Sequence, residues 1–160
     1  MVLNSLKLFL WKLIRPTVYI DCEVLEGGTL PTKAHGTDAG FDLFATSFVV
    51  IENGSVTKHP LNIKLALPTG TFMEICTKSG LGGKGQLVYA GIIDEEYRGI
   101  PHVICTSLLP GFINSVHIEA GKKIAQGIVH PHGPRYIIRR VDKVGENTKR
   151  GAGGFGSSGA

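Results

Sequence analysis

The residues with the most chemical potential fall in two stretches. The first is AGIIDEEYRG, residues 90–99, where Asp94, Glu95 and Glu96 follow an apolar run and precede Tyr97 and Arg98. A carboxylate is ionised at neutral pH and can take a proton from an attacking water. A plain hairpin with exposed acids at Glu95 and Glu96 is the competing reading. The second stretch is GENTKRGAGGFGSSGA, residues 145–160, which is mostly Gly, Ser and charge. Composition alone reads it as a floppy tail. Against that, Phe155 stands among the glycines, close to Arg150 and just before Ser157 and Ser158. A loop dense in glycine can turn consecutive backbone N–H groups toward phosphates, with an Arg adding a forked charge. An aromatic in such a loop can stack on a base. The six histidines show no metal-ligand spacing: His130 and His132 share a strand face, and no third ligand accompanies them.

The elements that must position these residues are strands. From Thr17 onward the hydrophobic period is two. Ile20, Cys22 and Val24 alternate with Asp21 and Glu23; Leu61, Ile63, Leu65 and Leu67 alternate with Asn62, Lys64 and Ala66; Val116 and Ile118 bracket His117. Such alternation puts one face in a core and the other in solvent. Turn formers separate the runs: Gly27-Gly28, Asn53-Gly54, Pro68-Thr69-Gly70, Pro110-Gly111 and His132-Gly133-Pro134. Short strands at this spacing predict an all-β fold, an antiparallel sandwich or barrel. No long amphipathic helix, repeat or internal linker follows Pro16. Residues 1–16 form an extension, 17–144 a β domain and 145–160 a terminal arm.

The extension, MVLNSLKLFLWKLIRP, carries Lys7, Lys12 and Arg15 and no acid. Lys7 and Lys12 interrupt its apolar run, which is too short for a signal-peptide core or a membrane span. An amphipathic surface anchor, a weak organelle-targeting segment and a packed extension all stay open, so membrane contact by residues 1–16 is undecided.

The chain's 160 residues suffice for one domain with a real core, and 42% hydrophobic and 19% charged residues exclude a disordered chain. The 22 glycines point to many turns or a glycine-built binding loop. A net charge of +4 suits a polyanionic ligand, or simply a solvated lysine surface. Cys22, Cys76 and Cys105 are odd in number and widely spaced, without a CxxC pair. Buried thiols are expected, not disulfides or zinc, with an intracellular setting, cytoplasmic before organelle or nucleus.

Five segments, in order, resemble the five motifs of the trimeric dUTP pyrophosphatase (dUTPase) family. PTKAHGTDAGFDLFA, residues 31–45, contains the AGxDL core; KSGLGGKG, 78–85, resembles RSGLA; AGIIDEEYRG, 90–99, is the most specific; AGKKIAQ, 120–126, resembles GDRIAQ; RGAGGFGSSG, 150–159, matches closely. The resemblance implies a dUTPase-type antiparallel β-sandwich or jelly-roll-like barrel with a flexible C-terminal arm, assembled as a homotrimer. It implies hydrolysis of dUTP to dUMP and pyrophosphate, with magnesium as cofactor and no nucleic-acid partner.

By the same resemblance Asp94 is the general base for water attack on the α-phosphorus, and Tyr97 packs on the deoxyribose and leaves no room for a 2′-hydroxyl. Residues 87–93 form the uracil pocket through backbone groups, with Val88, Gly91, Ile92 and Ile93 as contacts. Lys78, Ser79 and Gly80 face the phosphates. Asp42 lies near the phosphates and magnesium, reaching the ion through water; its plain reading is a turn aspartate capping a strand, and Asp38 is read as structural. Gln126 reaches the triphosphate from a neighbouring subunit, or is a polar residue at a strand edge. Arg150 contacts the γ-phosphate, Phe155 stacks on uracil, and Gly156 and Ser157 give N–H groups to phosphates. Lys78 stands for the family's Arg and lacks its planar fork, and Lys122-Lys123 replace an Asp–Arg pair. These departures keep open a dUTPase-like nucleotide-binding regulatory protein with weak catalysis. A dCTP deaminase-type relative is a further alternative, although its signature lacks the Tyr of the third motif.

Overall fold

The computed structural model describes residues 17–108, 115–133 and 138–142. In chain order its strands are β1 (Asp21–Val24), β2 (Gly40–Phe44), β3 (Val49–Glu52), β4 (Thr57–Pro60), β5 (Ile63–Ala66), β6 (Thr71–Cys76), β7 (Gln86–Ala90), β8 (Ile92–Ile93), β9 (His102–Ser107), β10 (Ser115–Ile118) and β11 (Lys123–Pro131). One single-turn helix, α1 (Ser79–Gly82), lies between β6 and β7. The largest sheet has the order β2-β11-β6-β8; β4-β9-β7 form a second; β1-β5 and β10-β3 are two-stranded ribbons. Every pairing between these described strands is antiparallel; an isolated bridge, Asn53 to Ser107, is parallel. The fold is all-β, as the alternation predicts.

All four sheets send apolar side chains into one core, including Leu43, Ile51, Ile63, Met73, Val103 and Ile124. The run at 61–67 behaves as its pattern demands, with Leu61, Ile63, Leu65 and Leu67 all buried. Val24 does not: it is 45% exposed. It is the last residue of β1, whose one hydrogen-bonded neighbour among the described strands is β5, while Ile20 and Cys22 still pack against the core margin. The fully buried Gln86 ties the two larger sheets together, donating its amide N–H to the carbonyl of Ile124 at 3.1 Å.

The turn formers act as expected where they are described. Gly121, between β10 and β11, has φ +74°, a conformation that a side chain disfavours. It docks the turn through Gly121 N–H to Ala45 O and Ala45 N–H to Lys122 O, both 2.8 Å. Cys105 is buried, as expected of all three thiols, whereas Cys22, packed against the core margin, and Cys76 are only half-buried. Burial pushes all three thiols up from their ordinary pKa, for Cys76 with help from Glu74. No group of three metal-ligating side chains forms among the described residues.

Candidate active site

The centre of the four-stranded sheet gathers the first, second and fourth motifs. In register, Asp42 of β2 faces Gln126 of β11, which faces Cys76 of β6. Directly opposed residues share a sheet face, so this row lies on the side opposite Leu43 and the core. Gly40 makes room for it: a Cβ there would sit 3.1 Å from Gln126 Oε1. Gln126 donates its amide N–H to Thr77 O at 3.0 Å. It lies on an inner strand paired on both sides, so the strand-edge reading does not hold.

Asp42 sits within β2 and is 5% exposed, not at a turn. Lys78 Nζ contacts its Oδ1, and Lys123 Nζ lies 2.7 Å from its Oδ2. Burial pushes the carboxyl pKa up, but the two lysines outweigh this and hold it below the usual value. The depressed pKa stabilises the fold above about pH 4, where an unfolded Asp is ionised, and that contribution is lost as the pH falls through the folded value. Asp42→Asn should therefore lower stability by about 2 kcal/mol at pH 7, a figure reduced for the partial exposure of Lys123. Thermal melts of both proteins between pH 7 and 3 should converge at the acid end.

Lys78 is the N-cap of α1, with no side-chain capping bond. Ser79 and Gly80 are exposed at the start of the helix, where first-turn N–H groups have no intrahelical partner. Asp38 is structural, its carboxylate accepting the His35 N–H at 2.9 Å.

The third motif spans two sheets. β7 pairs with β9, with a register shift between Val88 and Ala90, whereas β8 pairs with β6. Where the chain crosses over, a cavity of about 290 Å³ opens, lined by Val88, Ala90, Gly91, Ile92 and, from β6, Glu74 and Cys76. Val88 N–H is committed to Thr77 Oγ1 at 2.8 Å and Gly91 O to Ile75 N–H at 2.8 Å. Ile93 turns into the core opposite Met73. The β6 wall of this cavity had no sequence signal, because Glu74 and Cys76 belong to no motif.

The chain then turns at 94–97, closed by Tyr97 N–H to Asp94 O at 3.1 Å. Glu95 is half-buried and employed: its carboxylate accepts the Gly70 N–H, and Arg98 Nη1 donates to Glu95 O at 2.6 Å and Tyr97 O at 3.0 Å. Tyr97 Oη donates to Ile100 O at 3.3 Å, and a Cβ on Gly99 would overlap the phenol. Asp94 and Glu96 stay exposed. Together with Glu95, Tyr97 and His132 they line an open cavity of about 450 Å³. His132 was not singled out for this site by the sequence.

Asp94 and Lys78 are not brought together in one chain. Ile93 pairs with Met73 near the start of β6, and Lys78 lies just past its end. At roughly 3.3 Å per residue the separation is about 15–20 Å. Arg150, Phe155, Gly156 and Ser157 lie outside the described residues.

The dUTPase family model matches residues 26–159. The chain belongs to the dUTPase family. It is 38% identical over 133 residues to the deoxyuridine 5'-triphosphate nucleotidohydrolase of Rhodococcus erythropolis, covering 81% of this chain and 79% of that protein. It also matches the Pol polyprotein of ovine maedi visna related virus at 38% identity, spanning 12% of that polyprotein. Among solved structures, a mutant dUTPase of Staphylococcus bacteriophage 80alpha with dUpNHpp has a TM-score of 0.76 at 23% identity, covering 90% of this chain and 100% of that one. The dUTPase of phage phi11 of S. aureus, a mutant with a structural Mg(II) ion, has a TM-score of 0.69 at 20% identity, covering 79% and 98%. These two structures establish the shared fold.

Proposed function

We propose that this chain hydrolyses dUTP to dUMP and pyrophosphate, with Asp94 as general base for water attack on the α-phosphorus. The observation that carries the reading is the third motif in three dimensions. A cleft edged by strand backbone at 88–92 leads into a turn that presents an unengaged carboxylate beside a fixed tyrosine ring. Backbone groups at such an edge can pair with uracil's N3–H and carbonyls, and cytosine presents the wrong pattern. Pyrophosphate release measured over a panel of deoxynucleoside and ribonucleoside triphosphates tests this. Turnover confined to dUTP is expected, and no turnover of dUTP with magnesium would refute it.

Magnesium fits this site as an ion held largely by substrate. Both Asp42 oxygens are engaged by lysines, and the described residues offer no cluster of ligands, so the three phosphates and water would hold it. When bound, the ion neutralises phosphate charge and aligns the leaving pyrophosphate. The described residues would fix the nucleoside, position the base and set positive charge beside the phosphates.

The separation of Asp94 from Lys78 supports a site completed by another copy of the chain. We propose a homotrimer. Light scattering should report three copies at concentrations where turnover is full, and a fully active monomer would overturn the assembly.

For the terminal arm, we propose that Phe155 stacks on the base and Arg150 meets the γ-phosphate. Phe155→Ala should weaken nucleotide binding by about 1–3 kcal/mol, the usual worth of one base–aromatic stack. Calorimetry with a non-hydrolysable dUTP analogue reads this, and unchanged affinity would show that the ring makes no such contact.

A further inference from the structure

The ion pair between Lys123 and Asp42 depends on a fault in β11. Between Lys123 and Ala125 the register with β2 shifts, so Ala125 faces Leu43 and Lys123 faces Phe44. Regular pairing would set Lys123 opposite Ala45, on the core side. The extra residue is Ile124, and Ile124 and Ala125, consecutive in sequence, are both fully buried. A β-bulge of this kind re-aims a side chain. Here it carries Lys123 to the outer face, where it meets Asp42 Oδ2 at 2.7 Å while Lys78 holds Oδ1.

We propose that Lys123 is a positioning residue for the phosphate subsite: it keeps Asp42 neutralised so that Lys78 can leave the carboxylate for a substrate phosphate oxygen. The inference rests on the proposed reaction and goes beyond it by assigning a role to a residue outside the reacting atoms. Asp42 is buried, and an unpaired buried carboxylate is costly. With Lys123 in place, transfer of Lys78 to a phosphate leaves one charge partner behind. Without it, Lys78 is the sole charged partner of Asp42 among the described residues, and a phosphate must compete for it. A lysine suits this exchange, because a point charge on a flexible stem can swing where a planar fork is committed to its geometry. Lys123, with a half-exposed side chain, is free to stay with Asp42 throughout.

The test uses the full chain with inorganic pyrophosphate and deoxyuridine as probes. Lys123→Met should raise the inhibition constant of pyrophosphate and the KM for dUTP by about tenfold, the scale of one charge-assisted contact. Effects on kcat should be smaller, and inhibition by deoxyuridine, which carries no phosphate, should not change. Lys123→Arg should restore both values, which separates positioning from a loss of folding; melting curves of each variant check the latter. Pyrophosphate inhibition unaffected by Lys123→Met in a folded, active protein would overturn the inference. A wild-type chain without dUTP turnover would instead sink the functional reading. Calorimetric binding of pyrophosphate to wild type and Lys123→Met would then decide the role of Lys123: equal affinities overturn it, and a tenfold loss supports it.

Discussion

Asp94→Asn is expected to lower turnover of dUTP by about 10²–10⁴-fold, the usual contribution of a general base, and to leave folding and nucleotide binding nearly unchanged. The amide matches the carboxylate in shape but cannot accept the proton of the attacking water. Asp94 is exposed, and no described residue hydrogen-bonds or pairs with its carboxylate, so the substitution removes no contact that holds the fold. Surface changes of this kind usually stay within about 0.5 kcal/mol. Glu95 cannot take over, because its carboxylate is held by the Gly70 N–H. That bond fastens the 94–97 turn to the chain just before β6, and Gly70 O in turn accepts the His132 N–H at 2.7 Å. Glu96 is exposed, and Glu96→Gln provides the control. Steady-state kcat, calorimetric binding of a non-hydrolysable analogue and melting curves together decide the matter. Near-normal kcat in Asp94→Asn would sink the assignment, whatever the other two measurements show.

The difference between Asp94 and Glu95 shows where sequence reading stops. Both are acids in one string, and the string says which class of reaction to expect. What sets their roles is a contact to Gly70, a residue 25 positions away whose turn chemistry was legible but whose partner was not. The fold was legible wherever a face is buried: the alternation at 61–67 places four leucine and isoleucine side chains in the core because a period of two leaves no other arrangement. Val24 follows the same pattern and fails it: its register partner Ile63 is buried, whereas Val24, the last residue of β1, is not. Lys123 fails for a different reason. Counting by twos along β11 from Gln126 puts Lys123 on the core side, and no Gly or Pro at Ile124 betrays the bulge that moves it to Asp42. The insertion shows only in the folded chain, as the register shift against β2 and the run of two fully buried residues. The β6 wall of the cavity at 88–92 was hidden because Glu74 and Cys76 gain their position from pairing with strands distant in sequence.

Tyr97→Ala is expected to cost about 10²-fold in discrimination between dUTP and UTP, the scale at which a pocket of fixed shape rejects one added hydroxyl. The ring is held in place from several sides. Its backbone N–H is bonded to Asp94 O, its carbonyl to Arg98 Nη1 and its hydroxyl to Ile100 O. The phenol also occupies the space that a side chain at position 99 would need. A ring fixed at both ends can act as a wall, whereas a freely turning one would yield to the 2′-hydroxyl at little cost. Alanine removes the wall and should raise kcat/KM for UTP relative to dUTP without displacing Asp94, since the turn's N–H to O bond remains. Tyr97→Phe keeps the wall and loses the Ile100 bond, so most of the discrimination should survive. Gly99→Ala should push the ring from its seat and shift the ratio toward that of Tyr97→Ala. The quantity to measure is the ratio of kcat/KM for the two nucleotides in all three variants. A ratio in Tyr97→Ala equal to wild type would mean that sugar choice is made elsewhere, and that the tight packing of Tyr97 over Gly99 serves the turn alone.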